Sequence, residues 1–339
     1  MPKMLFVGGA FLPCAVILGL LFSLIILPFV RTAALFSGIV DIPRDERRMH
    51  TRAVPLAGGA GIIASFFLTA FFLAGGEKMP ALALLCTASL AYGLCDDILA
   101  MKASHKLALQ VLLACVSCAF TGSAETLRVL GREYSLGALS VPFTVLWTVF
   151  MMNAVNLTDG MDGLASGVCS VSAAALSLIL YFRGEYAYAV CSAALCGACL
   201  GFLFYNGYPA RIFMGETGSA FIGFMLAMLT VPCFSGGEAV KLSEISLVFF
   251  LPLSEAVCSF VRRAVKGKNP FSPDTGHMHH VLLRKGFSVR SADILLYVFS
   301  FVCAFFAVVY GKNAYAALSA LTLAFALRAR LTSTSGRRL

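Results

Sequence analysis

The sequence predicts an all-α, polytopic membrane protein of about eleven transmembrane helices, organised as one domain over residues 1–339. Three observations predict it. The chain is 59% hydrophobic and only 13% charged, where a soluble protein carries about a quarter charged residues. Apolar runs near the roughly 20 residues needed to cross a bilayer recur from one end to the other. No hydrophilic stretch is long enough to form a soluble domain of its own.

The spans fall at approximately 5–30, 54–74, 80–99, 104–121, 140–158, 163–182, 186–205, 218–234, 244–263, 291–310 and 313–328. The first is longer than a signal-peptide core and has no small-residue cleavage pattern, so it is read as a retained span. The second opens on Pro55 and the paired Gly58 and Gly59, and the third ends on Asp96 and Asp97. Lys102 and Lys106 lie on the approach to the fourth, Glu216 sits in a Gly-rich turn ahead of the eighth, and Glu255 lies inside the ninth. An odd number of crossings puts the termini on opposite sides. With the N-terminus outside and the C-terminus cytoplasmic, the inward loops and tail hold 19 of the 26 basic residues, as the positive-inside rule requires. Lys3 on the outer end runs against this orientation.

The same topology sorts groups that were not used to build it. All five His (50, 105, 277, 279 and 280) and all eight Asp (41, 45, 96, 97, 159, 162, 274 and 293) fall at or near the inner face. This places an active or binding surface at the cytoplasmic side. The net charge of +9 serves topology and attraction to anionic lipid headgroups, and part of it is available to grip a phosphorylated ligand; no nucleic-acid partner is expected. The 12 Cys lie in or at the ends of apolar spans, and the pairs Cys115/Cys118 and Cys196/Cys199 have no nearby polar partner. They read as packing residues rather than a metal, redox or disulfide framework.

The most informative stretch is Asn153-Ala-Val-Asn156-Leu-Thr-Asp159-Gly-Met-Asp162-Gly-Leu164, two carboxylates and two carboxamides in otherwise apolar surroundings. Backbone of this polarity is tolerated at membrane depth only where protein encloses it or water reaches it. The adjacent Asp96 and Asp97 at a helix end repel each other and face an unfavourable dipole, so they call for a cation or proton, and Lys102 and Lys106 are one helical turn apart nearby. The loop from Asp41 to Gly59, with His50, is either a solvated topogenic loop or an anion site where Gly-rich backbone meets phosphate. Glu216 in its Gly-rich turn is compatible with an ordinary helix start. Glu255, at membrane depth, calls for a buried hydrogen bond or ion pair. His277, His279 and His280 fit either a transition-metal site or recognition of a diphosphate; Arg284, one turn beyond, favours the second.

Together these five inner loops resemble the polyprenyl-phosphate N-acetylhexosamine-1-phosphate transferase superfamily, over almost the whole chain. The family pattern is a D-x-P…R…H…P…GG loop, a DD segment followed by a basic residue, N-x-x-N-x-x-DG-x-DGL, an F-x-GD-x-GS turn and a His-rich last inner loop. This chain shows each in order, at Asp41–Gly59, Asp96–Lys106, Asn153–Leu164, Phe213–Ser219 and Asn269–Arg284. The last loop looks like that of the branch using UDP-N-acetylglucosamine or a related sugar, for O-antigen, common antigen or teichoic-acid linkage. Two positions depart: Glu216 stands where the family has Asp, and Ala100 where an acid is often found.

The resemblance implies transfer of a HexNAc-1-phosphate, most directly GlcNAc-1-phosphate, from a UDP-sugar to undecaprenyl phosphate, in the inner membrane of a bacterium. It makes Asp96, Asp97, Asp159 and Asp162 the catalytic acids. His50, Lys106, Asn153, His277, His279, His280 and Arg284 become substrate-binding residues. Asn156 and Glu216 become ligands of Mg²⁺, with Mn²⁺ as a substitute. The implied partners are UDP-HexNAc, undecaprenyl phosphate and the bilayer, with a homodimer as a compatible assembly. Three other readings compete: a phospho-N-acetylmuramoyl-pentapeptide transferase, a catalytically degenerate lipid-binding scaffold prompted by Glu216 and Ala100, and a transporter. The last would put polar groups at the membrane midplane in paired repeats, whereas here they gather at one face and no internal repeat is seen.

Overall fold

The computed structural model describes residues 11–41, 53–76, 79–129, 132–235, 240, 242–267 and 276–310. In chain order the helices are α1 (Phe11–Phe36), α2 (Gly58–Leu73), α3 (Met79–Leu99), α4 (Ala103–Thr121), α5 (Ser140–Thr158) and α6 (Leu164–Phe182), then α7 (Tyr186–Asn206), α8 (Gly215–Thr230), α9 (Leu242–Val248), α10 (Phe250–Val265), α11 (Met278–Arg284) and α12 (Val289–Tyr310). Two small antiparallel ribbons join them, β1 (Val40–Asp41) with β2 (Val54–Pro55), and β3 (Thr126–Val129) with β4 (Arg132–Ser135). The all-α membrane architecture is therefore as expected.

Among the described residues eight helices are long and apolar enough to cross a bilayer, or nine if the bent pair α9–α10 is one span. The expected span 313–328 lies outside the described residues. The expected span 54–74 is a helix of 16 residues, too short for the same test. Positions before Gly58 are taken by other structure: Val54 and Pro55 pair with Asp41 and Val40, and Leu56 N–H donates to Ile39 O at 3.0 Å. The first helical N–H groups, of Gly58 and Gly59, then donate to the carbonyls of Phe213 and Met214 at 2.9 Å each.

The expected span 244–263 is broken, with α9 and α10 meeting at 93° around Phe249. Pro252 is the cause. It has no N–H for the carbonyl of Val248 four residues back, and that carbonyl instead accepts from Ser172 Oγ at 2.8 Å. The helix restarts with Leu253 N–H on Phe249 O at 3.0 Å. The turn of direction brings Glu255 and the end of α10 over the end of the bundle that holds the polar loops.

Helix α8 is the axis, buried along nearly its whole length, while α1 and α4 face mostly outward. Without a hydrophobic drive between helices in lipid, close approach through small residues provides the packing. Gly19 of α1 leaves no room for a Cβ beside Ala194 O, and Gly201 of α7 none beside Ser23; Ser23 Oγ donates to Ala198 O at 3.1 Å. Around α8, Phe66 and Phe221 meet edge to face at 5.6 Å, and Trp147 Nε1 donates to Thr230 Oγ1 at 2.9 Å. At the start of α8 the contacts are backbone to backbone: a Cβ on Gly93 would overlap Thr217 Cα, and one on Gly59 would overlap Gly218. These two glycines fix the distances of α3 and α2 from α8.

Gly93→Val is therefore expected to lower stability in detergent by at least about 1–3 kcal/mol through overpacking. Ala91→Val, on the exposed side of the same turn, serves as the control with an unchanged Tm. Equal melting temperatures for both variants would refute this account of the α3–α8 contact.

Candidate active site

The ends of α3, α5, α7 and α10 and the beginnings of α4, α6, α8, α11 and α12 meet at one end of the bundle, and they carry Asp96, Asp97, Lys106, Asn156, Asp159, Asp162, Glu216, His277 and His279 there. The first group is built on Asp97. Its Oδ1 accepts from Glu216 N–H at 2.7 Å, and its Oδ2 accepts from Thr217 N–H at 3.0 Å and Thr217 Oγ1 at 2.6 Å. A carboxylate from α3 thus caps α8, where free N–H groups and the helix dipole favour negative charge. Gly215, at φ +72°, makes the entry to α8; a Cβ there would lie 2.6 Å from Asp97 Oδ2.

Asp96, buried at 2% exposure, does a different job. Its Oδ1 accepts from Met101 N–H at 3.0 Å, holding the turn in which Ala100 takes a left-handed φ of +47°. That turn folds α4 back so that Lys106 Nζ lies 2.5 Å from Asp96 Oδ2 and 3.1 Å from Glu216 Oε1. The costly acid pair is thereby resolved, one member by backbone amides and the other by an ammonium. Lys102, by contrast, is exposed at the start of α4.

The second group is the loop after α5. Asn156 Nδ2 donates to Ser219 Oγ at 3.2 Å, tying α5 to α8 one turn beyond Glu216. Asp162 Oδ2 accepts from Ala210 N–H at 2.9 Å. Gly163, at φ +80°, starts α6 with its N–H on Asn206 Oδ1 at 2.9 Å and its carbonyl accepting from Tyr297 OH at 2.7 Å. Asp159, just past the end of α5, has its pKa pushed up to about 7. Burial is the main cause, followed by the negative charges of Glu216, Asp162 and Asp97. Asn153 is exposed, with Nδ2 donating to Gln110 Oε1 at 2.8 Å and Val149 O at 2.7 Å.

The third group is the imidazoles. Buried Glu255 accepts from Met278 N–H at 2.8 Å through Oε1 and lies 2.9 Å from His277 Nδ1 through Oε2, which is the partnered state expected of it. His279 and His280 rings are 4.2 Å apart, and His277 stacks on His279 at 5.6 Å. His279 also abuts the second group, since a Cβ on Gly160 would fall 2.6 Å from its ring. Arg284, in the last turn of α11, is exposed. His50 lies outside the described residues.

Three residues that sequence reasoning passed over hold this arrangement. Gln110, Thr217 and Tyr297 all hydrogen-bond predicted site residues or their loops. The available signal was position: Gln110 is a lone carboxamide inside an apolar span, four residues from Lys106.

Asp159 has a consequence for pH. Its folded-state pKa of about 7 lies above the ~3.9 of a free Asp, so the folded protein keeps a proton that the unfolded chain releases. Stability from this group is full below about pH 4 and is lost as pH rises to about 7. Asp159→Asn is expected to gain on the wild type in Tm between about pH 5 and pH 8. A difference that stays flat over this range would refute the assignment.

Residues 79–233, from the start of α3 past the end of α8, match the model of glycosyl transferase family 4. The chain is 32% identical to the probable undecaprenyl-phosphate N-acetylglucosaminyl 1-phosphate transferase of Bacillus subtilis, covering 87% of this chain and 84% of that protein. It is 31% identical to the undecaprenyl-phosphate alpha-N-acetylglucosaminyl 1-phosphate transferase of Escherichia coli (81% and 77% covered). It is 33% identical to the decaprenyl-phosphate N-acetylglucosaminephosphotransferase of Mycobacterium tuberculosis (81% and 76% covered). Identity at this level along most of each chain, with the motif residues Asp96, Asp97, Asn156, Asp159, Asp162, Glu216 and His279 gathered at one end of the bundle, shows that this protein belongs to glycosyl transferase family 4.

Proposed function

We propose that the protein transfers GlcNAc-1-phosphate, or a closely related HexNAc-1-phosphate, from a UDP-sugar to undecaprenyl or another polyprenyl phosphate, giving lipid-diphosphate-sugar and UMP. The observation that carries the reading is Lys106 held between Asp96 and Glu216 beside the Asp159–Gly163 loop. It is a single ammonium fixed among acids at a membrane-edge site, on a chain whose relatives are named for this transfer. Those names favour it over the phospho-N-acetylmuramoyl-pentapeptide reading. The excess of basic residues on the same side as these loops supports placing the site at the cytoplasmic face of a bacterial inner membrane.

An oxygen of the lipid phosphate attacks the β-phosphorus of the UDP-sugar, and the bond from that phosphorus to the bridging oxygen breaks, so that UMP leaves with the electron pair. Two anions must meet, so positioning and charge neutralisation are the work of the site. Lys106 supplies the fixed positive charge, aimed by Asp96. Asp97 positions α8 and with it Glu216. Asp162, which accepts from Ala210 N–H, holds the loop that carries Asp159 and on which His279 rests, and the imidazoles and Arg284 would supply hydrogen bonds and positive charge to a diphosphate.

Glu216 and Asn156 fit Mg²⁺ by donor chemistry, a carboxylate and an amide oxygen, and the surplus negative charge felt by Asp159 is what a cation relieves. Among the described residues no three His, Cys, Asp or Glu converge as a ligand set. Mg²⁺ uses one or two carboxylates and completes its shell with water and substrate phosphate. Bound there, the ion would neutralise charge developing on the phosphate oxygens.

The test is UMP release by purified protein given UDP-GlcNAc and undecaprenyl phosphate, with the lipid product identified by mass. Asp96→Asn and Asp97→Asn are each expected to lose at least about a hundredfold in turnover, as befits a charge-positioning role. Near-normal turnover in both, at equal folded protein, would sink the reading.

Chelation is expected to stop turnover, with Mn²⁺ restoring it more strongly than at an Asp-based site because a larger ion tolerates the longer Glu216 side chain. Glu216→Asp should retain or raise activity, and Glu216→Gln should abolish turnover together with metal dependence. A Glu216→Gln enzyme that works with ordinary Mg²⁺ affinity would place the ion elsewhere.

A further inference from the structure

We propose that Gln110 is a positioning residue for the transfer, acting through Asn153, and that it and Tyr92 form a polar strut one turn beneath the site. The role rests on the reading of function above. Gln110 Nε2 donates to Tyr92 OH at 3.1 Å, and Gln110 Oε1 accepts from Asn153 Nδ2 at 2.8 Å. Gln110 and Tyr92 are buried, at 5% and 6% exposure. The three residues belong to α4, α3 and α5. Each lies one helical turn from a group at the site: Tyr92 from Asp96, Gln110 from Lys106, and Asn153 from Asn156.

The polarity of the strut is determined. Asn153 Nδ2 also donates to Val149 O at 2.7 Å, and a backbone carbonyl only accepts, so the nitrogen of the carboxamide must sit on that side. Both N–H groups of Asn153 are then used inside the protein. Its Oδ1 is left for the exposed side, as an acceptor for a hydroxyl or amide N–H of the sugar nucleotide. Gln110 is what holds it that way. With Leu at 110, Asn153 loses one of its two internal acceptors and its carboxamide is free to turn.

A carboxamide and a phenol buried in an apolar bundle cost free energy unless bonded, and here they bond each other and a site residue rather than a neighbouring turn. The contrast is with Thr144 and Thr148 on α5, whose hydroxyls return to backbone carbonyls four residues back, at 2.8 Å each, and carry nothing to the site.

The experiment is a double-mutant cycle on kcat/KM for UDP-GlcNAc with full-length protein. Gln110→Leu is expected to lose about 30-fold and Asn153→Ala about 100-fold, the scale of a misplaced contact. The double variant should stay within about threefold of Asn153→Ala alone, because Gln110 has then nothing left to position. Tm losses in the same cycle should be less than additive, since the two side chains share one hydrogen bond, and the loss of kcat/KM at equal folded protein is what separates positioning from packing. Tyr92→Phe, breaking the strut from its other end, provides a second cycle should Gln110→Leu not fold. Wild-type kcat/KM in Gln110→Leu, or losses that multiply in the double variant, would overturn the role while leaving the proposed reaction standing. Absence of turnover in the wild-type protein would overturn both.

Discussion

The site depends on one contact, the carboxylate of Asp97 seated on the first amides of α8. Helix α8 is the most buried element, so wherever its first turn is pinned, Glu216, Thr217 and Ser219 follow. Three hydrogen bonds of 2.6–3.0 Å pin it to α3, and Gly93 and Gly215 remove the side chains that would otherwise hold the two apart. A charged acceptor on helix-terminal amides is stronger than a neutral bond. Here it also removes the like-charge problem of two adjacent acids by giving Asp97 partners that Asp96 does not share. Asp96 is then free to take Lys106.

Charge bookkeeping over the rest of the site follows from that division. Asp97 is satisfied by amides, Asp96 and Glu216 by Lys106, and Asp162 has an amide from Ala210. Asp159 is the group on which the fields of the others converge, and it responds by holding its proton to about pH 7. A site in this condition is poised to accept positive charge and to release a proton when it does. Both are useful where a diphosphate and a phosphate must be brought together at a membrane edge.

Much of this was legible in the residues, and what was not has a physical cause. Long apolar runs reveal spans because the bilayer imposes a length; every expected span within the described residues corresponds to a helix or, at α9–α10, to a broken one. The break itself was missed because hydropathy does not register that Pro252 lacks an N–H, nor that Ser172 waits on another helix to take the carbonyl so released. Glu255 was recognised as needing a partner from its depth alone, but not that the partner would be His277, 22 residues on. Charged residues in apolar surroundings announce themselves. The residues that aim them, Gln110, Thr217 and Tyr297, do not, because a hydroxyl or carboxamide on a helix can equally bond its own backbone.

The two departures from the family pattern lie on either side of Lys106, and they are best understood together. Ala100 adopts a left-handed conformation, which costs a non-Gly residue about 1–2 kcal/mol and which Asn or Asp would tolerate better. The turn persists because Asp96 Oδ1 holds Met101 N–H, and closing it is what returns α4 with Lys106 aimed at the acids. Glu216 is the residue that receives Lys106. Its backbone N–H is already bound to Asp97, so its carboxylate stands off the helix by one methylene more than an Asp would allow, and Lys106 Nζ meets it at 3.1 Å while touching Asp96. The longer acid and the ammonium are thus accommodated by the same turn. This coherence argues that Glu216 and Ala100 belong to a working geometry rather than to the decay of one, since a decayed site has no reason to keep strained backbone in the position that presents Lys106 to Asp96 and Glu216.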